Sequence, residues 1–198
     1  MAHVDFRLDA DKVVATSIYI AQHGPPDLTV GKMMKMLFLA DKYHLVRYGR
    51  PITGDKYEAM DAGPVPSFAY NLFKQLVIKP TTPPCRQLAE ALDVDRSYQL
   101  PRFSAKNGAQ FDADQLSVSD LKAIDKTIEQ FGGKTFEELS AITHTMAAYD
   151  KAWKSKGFFS KSAHMKFEDF FDDDAAAIAG AKDEMVENYC LQKSFAKP

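Results

Sequence analysis

The chain contains 198 residues, in which 25 lysines and arginines stand against 27 aspartates and glutamates, giving a formal net charge of −2. This length suits one domain. A composition of 45% hydrophobic and 26% charged residues excludes a mainly disordered chain, and the small net charge argues against binding polyanions through overall charge. Two isolated cysteines, and the lack of an apolar stretch long enough to cross a bilayer, predict a cytoplasmic protein.

Two helices are predicted in the first fifty residues. Asp9 is a suitable N-cap for the first, and Gly24 with the two prolines behind it ends that helix, because glycine suits a left-handed C-cap and proline cannot continue a helix. Thr29 opens a second helix that runs to about Tyr48. This second helix is apolar around most of its circumference, which predicts a central, buried helix.

A loop rich in turn residues connects the second helix to a third. Gly49 can cap the second helix in the left-handed conformation, and Pro51 keeps the residue before it extended. A short extended segment is predicted around Tyr57. The third helix then begins near Pro64 or Pro66, because proline is tolerated in the first turn of a helix, and its apolar residues recur with the helical period.

The middle of the chain predicts a hairpin. Residues 78–96 hold three prolines and no sustained period, so they indicate a connection with one helical turn near residues 88–92. Residues 98–103 and 109–112 are typical of short strands. They flank the Lys-Asn-Gly sequence at 106–108, which favours a type I′ turn.

Three further helical segments are predicted downstream. Ser117 and Thr135 each begin a capping box, His144 lies near the end of the second of these helices, and Trp153 lies on a further helical turn. An amphipathic helix from about Ala175 closes the chain. These elements predict a mainly α, single-domain helical bundle around the central buried helix, with a small antiparallel β-hairpin.

The C-terminal region is strongly acidic. Residues 168–187 hold eight acids and one lysine, a local charge of about −7. We interpret the aspartates at 172–174 as stabilising the positive end of the terminal helix, and docking to a basic partner is the alternative. The predicted division is a domain over residues 1–171 and an acidic amphipathic helix and tail over residues 172–198.

Asp41 falls on the apolar stripe of the second helix, with His44 one turn later. A buried carboxylate is costly unless it is paired or hydrogen-bonded, so we expect Asp41 to bind a neighbouring loop through backbone N–H groups, a tyrosine or an arginine. Acid–base catalysis by Asp41 with His44 is the alternative, although no third orienting group is evident nearby. His144 is expected to be structural, hydrogen-bonded to Asp41 or to a loop tyrosine.

No metal, cofactor or catalytic site is predicted. The histidines and cysteines show no pair at the spacing that metal ligands require, and the isolated glycines form no phosphate-binding loop. A cluster of cations around the second helix is interpreted as a solvated face, with a nucleic-acid patch as the alternative. Its members are Lys32, Lys35, Lys42, Arg47, Arg50 and Lys56.

One long segment carries a family resemblance. From Lys35 to Leu72 the chain contains KMLFLADKYHL, YGRPITGDKYEAM, GPVP and YNL in order. This pattern resembles the Panacea domain of SocA/GepA-like antitoxins from bacteria and prophages. A looser match follows through Thr143, His144, Trp153 and residues 165–169, with a wider spacing between His144 and Trp153 that predicts a local insertion. The motif positions, structural or interfacial, are Asp41, His44, Gly49, Pro51, Gly54, Asp55, Gly63, Pro64, Val65, Pro66, His144 and Trp153.

The resemblance implies an antitoxin that neutralises a toxin encoded nearby by direct protein binding. An interface of about 1,600 Å² with a few aromatic or arginine anchors would suffice. We expect it on the terminal acidic helix and on four side chains beside the motif turns, Tyr48, Arg50, Tyr57 and Tyr70.

Three alternatives stay open at this stage. The first is an adaptor that delivers the toxin to a AAA+ protease. The second is a DNA-binding prophage regulator, although the acidic chain makes nucleic acid a less favoured partner. The third is an enzyme in which Asp41, His44 and His144 share one pocket.

Overall fold

A computed structural model describes residues 4–172 and 177–195 of the chain. The helices in these ranges are α1 (Ala10–His23), α2 (Val30–Tyr48), α3 (Ser67–Ile78), α4 (Pro83–Ala91), α5 (Val118–Phe131), α6 (Phe136–His144), α7 (Ala147–Ser155) and α8 (Ala181–Phe195). The strands are β1 (Tyr57–Met60), β2 (Gly63–Pro66), β3 (Leu92–Asp95), β4 (Arg102–Ala105) and β5 (Ala163–His164). The predicted mainly α fold is confirmed.

Helix α2 is the centre of the fold, as its apolar circumference predicts. Fourteen of its 19 residues are buried. One side packs into a core shared with α1, α3, α4 and α5, and the other into a second core with β1, α7, α8 and the 3₁₀ helix Phe167–Phe171. A helix between two cores has no fully solvated face, which explains why its sequence lacks a polar stripe.

The helix-start signals of the sequence are confirmed. Asp9 and Thr29 accept hydrogen bonds from the first turns of α1 and α2, and both predicted capping boxes, at Ser117 and Thr135, are formed. Gly49 adopts the left-handed conformation at the end of α2, with φ of 62°. The left-handed cap predicted at Gly24 is wrong, because this residue is extended, with φ of −88°.

The loop after α2 forms an antiparallel hairpin. Strand β1 pairs with β2 in a register that places Tyr57 opposite Pro66, and β5 pairs with the other edge of β1. The extended segment predicted at Tyr57 is therefore confirmed. Pro64 is not in a helix as one alternative had it, because α3 begins only after Pro66. Strand β2 tolerates both prolines because it is an edge strand.

The predicted second hairpin has the wrong register. Residues 92–95 pair with residues 102–105, whereas the sequence pattern placed strands at 98–103 and 109–112. The turn at 106–108 closes through a hydrogen bond from the Ala109 N–H to the Lys106 carbonyl but connects no strands. Helix α4 occupies about half of the segment predicted as a connection, since Pro83 and Pro84 stand at its N-terminal end, where helices accept prolines.

Helix α8 packs on the C-terminal end of α2. Met185 is buried there, and the Asn188 amide donates to the carbonyls of Tyr48 and Gly49. The helix begins at Ala181, six residues later than predicted, so Asp172 does not lie in its first turn. Asp172 instead pairs with Lys151 and Lys182. The remaining predicted residues, Asp173, Asp174 and Ala175, lie outside the described residues.

Candidate functional site

Asp41 is the polar centre of the motif loop. Its side chain is 1% exposed, and one carboxylate oxygen accepts the backbone N–H groups of Ile52 and Thr53 at 2.9 and 3.0 Å. The other oxygen accepts the Thr53 hydroxyl at 2.5 Å and the Tyr57 hydroxyl at 2.7 Å. The expectation that Asp41 ties α2 to the neighbouring loop through backbone groups and a tyrosine is confirmed.

The environment of Asp41 sets its ionisation. Burial raises the pKa of Asp41 to about 6, and the hydrogen bonds from Thr53, Tyr57 and Ile52 oppose that rise because they favour the charged form. The carboxylate is therefore mostly ionised at pH 7. All four of its contacts come from its own chain, so its acceptor positions are occupied by the loop that it holds.

Asp55 has a different structural task, at the start of α3. Pro66 occupies the N-cap position and offers no side chain that can accept a hydrogen bond. The two carboxylate oxygens of Asp55 accept the backbone N–H groups of Phe68 and Ala69, both at 2.9 Å. Burial raises the pKa of Asp55, and these backbone bonds oppose the rise. Asp55 thus caps α3 from outside the helix.

A second polar network joins the motif loop to α5. The buried Asp120 carboxylate accepts the Lys12 ammonium at 2.8 Å and the Arg50 guanidinium at 3.0 Å. His44 Nδ1 lies 2.7 Å from the Arg50 carbonyl, which can only accept, and His44 Nε2 lies 3.0 Å from the Ser119 hydroxyl and 3.1 Å from Asp120. Burial lowers the pKa of His44 to about 4, so the ring is neutral at pH 7.

A third cluster surrounds Gly63 at the tip of the β1–β2 hairpin. Lys35 is 1% exposed, its ammonium donates to the Pro64 carbonyl at 3.1 Å, and it forms no ion pair with the described residues. A Cβ atom at Gly63 would meet Lys35 Nζ at 2.6 Å, Thr143 Oγ1 at 2.9 Å and the His144 ring at 3.3 Å. With its φ of 100°, Gly63 is required at this convergence.

Burial lowers the pKa of Lys35 to about 7. Burial also lowers the pKa of His144, and the nearby Lys35 charge adds to that effect. His144 Nε2 is buried without a hydrogen-bond partner. The sequence pattern placed Lys35 in a solvated cation cluster and Thr143 in the family match, and it predicted neither residue's place in this cluster. The signal for Lys35 was present in the sequence, since a lysine inside an apolar run of an all-round apolar helix has no solvated face to occupy.

His144 is structural in a different way from the one predicted. It neither binds Asp41, whose acceptors are taken by the loop, nor a loop tyrosine. Its ring lies against Gly63 at the hairpin tip and stacks on Tyr149 with ring centroids 4.6 Å apart. Tyr149 stacks in turn on Trp153 at 5.9 Å and donates to the Met60 carbonyl at 2.9 Å. This column, here called the aromatic stack, joins α6 and α7 to the hairpin.

Asp41, His44 and His144 therefore belong to three separate networks. Asp41 binds the loop at Ile52 and Thr53, and His44 contacts Arg50 and α5. His144 contacts the hairpin tip and Tyr149. Within the part of the chain that the structure describes, the three side chains share no hydrogen-bond partner.

The cations of the motif region do not form a solvated face as interpreted. Lys32, Lys35 and Lys42 are buried on α2, and Lys32 pairs with Asp27 at 2.7 Å. Arg50 is committed to Asp120. The physical reason is that both sides of α2 face a core, so its lysines must extend into the protein or along its surface rather than into water.

The four predicted interface residues lie in different environments. Tyr57 is 1% exposed and bonded to Asp41, so it is not on the surface where the sequence analysis placed it. Tyr48 is half-buried and stacks against His44 at 4.6 Å, and Arg50 is half-buried in its ion pair. Tyr70 is the one of the four that lines an apolar pocket.

That pocket has a volume of about 520 Å³ and lies between α2, α3, α6 and the hairpin. An adjoining pocket of about 370 Å³ shares Gly31 and Tyr70 with it and extends along α3 to Val77 and Ile78. A Cβ at Gly31 would meet the Phe136 ring at 2.6 Å, so the glycine lets α6 approach α2 at the pocket wall. We call the two pockets together the Tyr70 groove.

Two further kinds of feature, a metal site and a membrane-spanning helix, can be assessed on the described residues. Across residues 4–172 and 177–195, no group of three or more histidine, cysteine, aspartate or glutamate side chains is placed to hold a metal ion. None of the helices described is both long enough and apolar enough to cross a membrane.

Comparison with known proteins gives one match. A family model described as "Antitoxin SocA-like, Panacea domain" matches residues 33–154. This range contains the motif loop, the hairpin, the aromatic stack and most of the Tyr70 groove, and it confirms the resemblance inferred from the sequence. No curated protein and no solved structure matches the chain.

Proposed function

The chain belongs to the SocA-like Panacea antitoxin family, and on this premise we propose that it neutralises a toxin protein by binding it directly, without a catalytic step of its own. One observation carries the proposal. The carboxylates of the family motif, Asp41 and Asp55, are occupied by hydrogen bonds from their own chain, whereas the apolar Tyr70 groove between α2, α3, α6 and the hairpin is open. The motif residues therefore stabilise the fold, and the Tyr70 groove is the surface available to bind the toxin.

The Tyr70 groove has the features of a protein-binding surface. Its wall carries two aromatic side chains, Tyr70 and Phe136, and aromatic residues are enriched among the side chains that dominate binding energies. Met34 and Met60 add flexible apolar side chains, which adapt to the shape of a partner. A toxin segment seated here would cover apolar area that is otherwise in contact with water.

Direct binding has more support than DNA binding. A protein that recognises DNA needs lysines and arginines free to contact phosphates. In this protein Lys32, Lys35 and Lys42 are buried, and Arg50 is held by Asp120. Four of the six cations that motivated the DNA-binding alternative are therefore held within the fold.

The test is co-expression with the product of the neighbouring small open reading frame. We expect this product to stop growth alone, and the wild-type chain to restore growth. Tyr70→Ala with Phe136→Ala should abolish the rescue, whereas Tyr70→Phe, which keeps the ring, should retain it. A neighbour that is harmless alone, or toxic whether or not this chain is present, would refute the proposed function.

Toxin lifetime separates the two antitoxin mechanisms. Occlusion of the toxin by direct binding leaves its lifetime unchanged or lengthens it, because the bound toxin is protected. An adaptor for a AAA+ protease shortens it. A pulse-chase measurement of toxin in cells with and without the wild-type chain therefore decides between them, and a shortened lifetime would replace occlusion with delivery.

A further inference from the structure

A tight turn between α7 and β5 presents two phenylalanines to solvent. Phe158 and Phe159 are 93% and 95% exposed, the highest values among the large apolar side chains described. Their rings contact each other edge to face, with centroids 5.1 Å apart. Each such ring can bury about 150–250 Å². Isolated exposed apolar residues are common on protein surfaces, but two adjacent phenylalanines at one tip form a contiguous apolar feature.

The conformation of this turn is fixed by hydrogen bonds. The Ser160 N–H donates to the Gly157 carbonyl at 2.9 Å, which places both phenylalanines at the central positions of the turn. The Lys156 ammonium donates to the Ser160 carbonyl at 2.7 Å and closes the turn from below. The two rings are thus held outward by bonds that do not involve the rings themselves.

The turn rests on the aromatic stack. Lys156 Nζ lies 4.6 Å from the centre of the Trp153 ring, and Trp153 continues through Tyr149 to His144. Cation–π contact and ring stacking restrict the motion of these side chains. A preorganised anchor loses less conformational entropy when it binds than a flexible one. The aromatic stack therefore does more than join α6 and α7 to the hairpin, because it also restricts the motion of the base of the turn.

The charge around the turn defines the kind of partner it suits. Residues 151–166 contain five lysines and no aspartate or glutamate, in a chain whose net charge is −2. Lys151 and Lys154 pair with nearby aspartates, but Lys161 and Lys166 form no ion pair with the described residues. Two apolar rings flanked by available cations complement an apolar pocket whose rim carries carboxylates.

We propose that the Phe158–Phe159 turn is an aromatic anchor that inserts into an apolar pocket with an acidic rim on the toxin partner. The proposal rests on the proposed function, because it assigns the anchor to the same partner. Lys161 also lines the Tyr70 groove, so the turn and the groove lie side by side. Together they form a surface on which a partner could bury about 800 Å², the area typical of one side of a specific interface.

The test measures affinity for the purified product of the neighbouring open reading frame by calorimetry. Phe158→Ser with Phe159→Ser should weaken binding at least about 30-fold, because each ring acts as an anchor. The control is Val118→Ser, which removes an apolar side chain that is 70% exposed at the start of α5 and should change affinity less than about twofold. Thermal unfolding should be unchanged in both variants, since all three side chains are exposed.

A second arm tests the acidic rim. Lys161→Glu with Lys166→Glu should weaken binding by about tenfold or more in low salt, and the difference from wild type should shrink as salt screens the charges. Charge reversal that leaves affinity and its salt dependence unchanged would contradict the acidic rim and overturn the proposal.

The remaining outcomes separate the two proposals. If wild type binds the toxin and the double phenylalanine variant binds it equally well, the anchor is refuted and the antitoxin function stands. If wild type does not bind the product at all, both fail. Binding to vesicles of phosphatidylcholine and phosphatidylglycerol that is lost in the double variant, with toxin affinity unchanged, would assign the turn to an anionic membrane surface and overturn the proposal.

Discussion

At the residue scale, the hydrogen bonds of Asp41 make a specific prediction about stability. Asp41→Asn keeps the shape of the side chain but directs an amide donor at groups that already donate, the Thr53 and Tyr57 hydroxyls. We expect a loss of about 2–4 kcal/mol in the free energy of unfolding, measured in urea. Tyr57→Phe removes one donor and should cost about 1 kcal/mol. Equal losses for the two variants would show that Asp41 is not the centre of this network.

Asp41→Asn also separates a scaffold from a direct role in binding. Where the variant is folded, we expect its affinity for the toxin to stay within about threefold of wild type, because Asp41 is buried and does not reach the surface. Loss of binding by a fully folded variant would place Asp41 in the interface network rather than in the scaffold alone.

The buried Lys35 should make the free energy of unfolding depend on pH above neutrality. Burial lowers the pKa of Lys35 in the folded protein to about 7 from its ordinary value of 10.5, so between these values the unfolded chain binds more protons and the free energy of unfolding rises with pH. Relative to Lys35→Met, we expect wild type to gain about 2 kcal/mol between pH 7 and pH 9 in urea unfolding. The exposed control Lys166→Met should show the same rise as wild type. If the free energy of unfolding of wild type and of Lys35→Met changed with pH in parallel, Lys35 would not be the source of the pH dependence.

Single residues differ in how far their environment follows from the sequence. The contacts of Asp41 were predictable because a carboxylate in an apolar stripe must find donors and the adjoining loop supplies them. The partner of His144 was not, because stacking on Tyr149 depends on the angle between α6 and α7. The exposure of Phe158 and Phe159 was equally hidden, since an apolar residue in a sequence predicts burial by default.

At the element scale, the start of α3 depends on a residue outside the helix. Asp55→Ala leaves the Phe68 and Ala69 N–H groups without their acceptors, and we expect a cost of about 1–2 kcal/mol. Hydrogen exchange at these two amides should accelerate by at least about fivefold. Ser67→Ala, which changes the first residue of α3 without removing a cap, should leave both rates nearly unchanged. Unaltered exchange in Asp55→Ala would mean that another group caps the helix.

Elements with local signals were predicted, and elements with non-local pairing were not. Capping boxes lie within four residues, so Ser117 and Thr135 could be identified from the sequence alone. The pairing of Leu92 with Ala105 spans the loop at residues 96–101, whereas the strongest turn signal, at residues 106–108, lies after β4 and favoured the incorrect hairpin. Strand register is decided by the core that the strand covers, and this core is assembled from distant segments.

At the scale of the whole molecule, the distribution of charge differs from the one that the sequence suggested. The basic residues of α2 are largely buried, and the acidic terminal helix lies against α2 rather than standing free. Residues 151–166, around the exposed phenylalanines, form a basic segment with five lysines and no aspartate or glutamate. The small net charge of −2 is therefore the sum of buried basic residues on α2, an acidic C-terminal region and a basic loop.

Helix α8 completes the second core, so truncating its buried side chain should destabilise the whole protein. Met185 is fully buried among residues of α2, β1 and the segment before α1, whereas the next residue, Val186, is 38% exposed. Met185→Ala should cost about 2–4 kcal/mol, because it removes apolar contacts and leaves a cavity beside α2. Val186→Ala should cost less than about 1 kcal/mol. Urea unfolding measures both, and equal small losses would show that α8 is an appendage whose removal leaves the antitoxin fold intact.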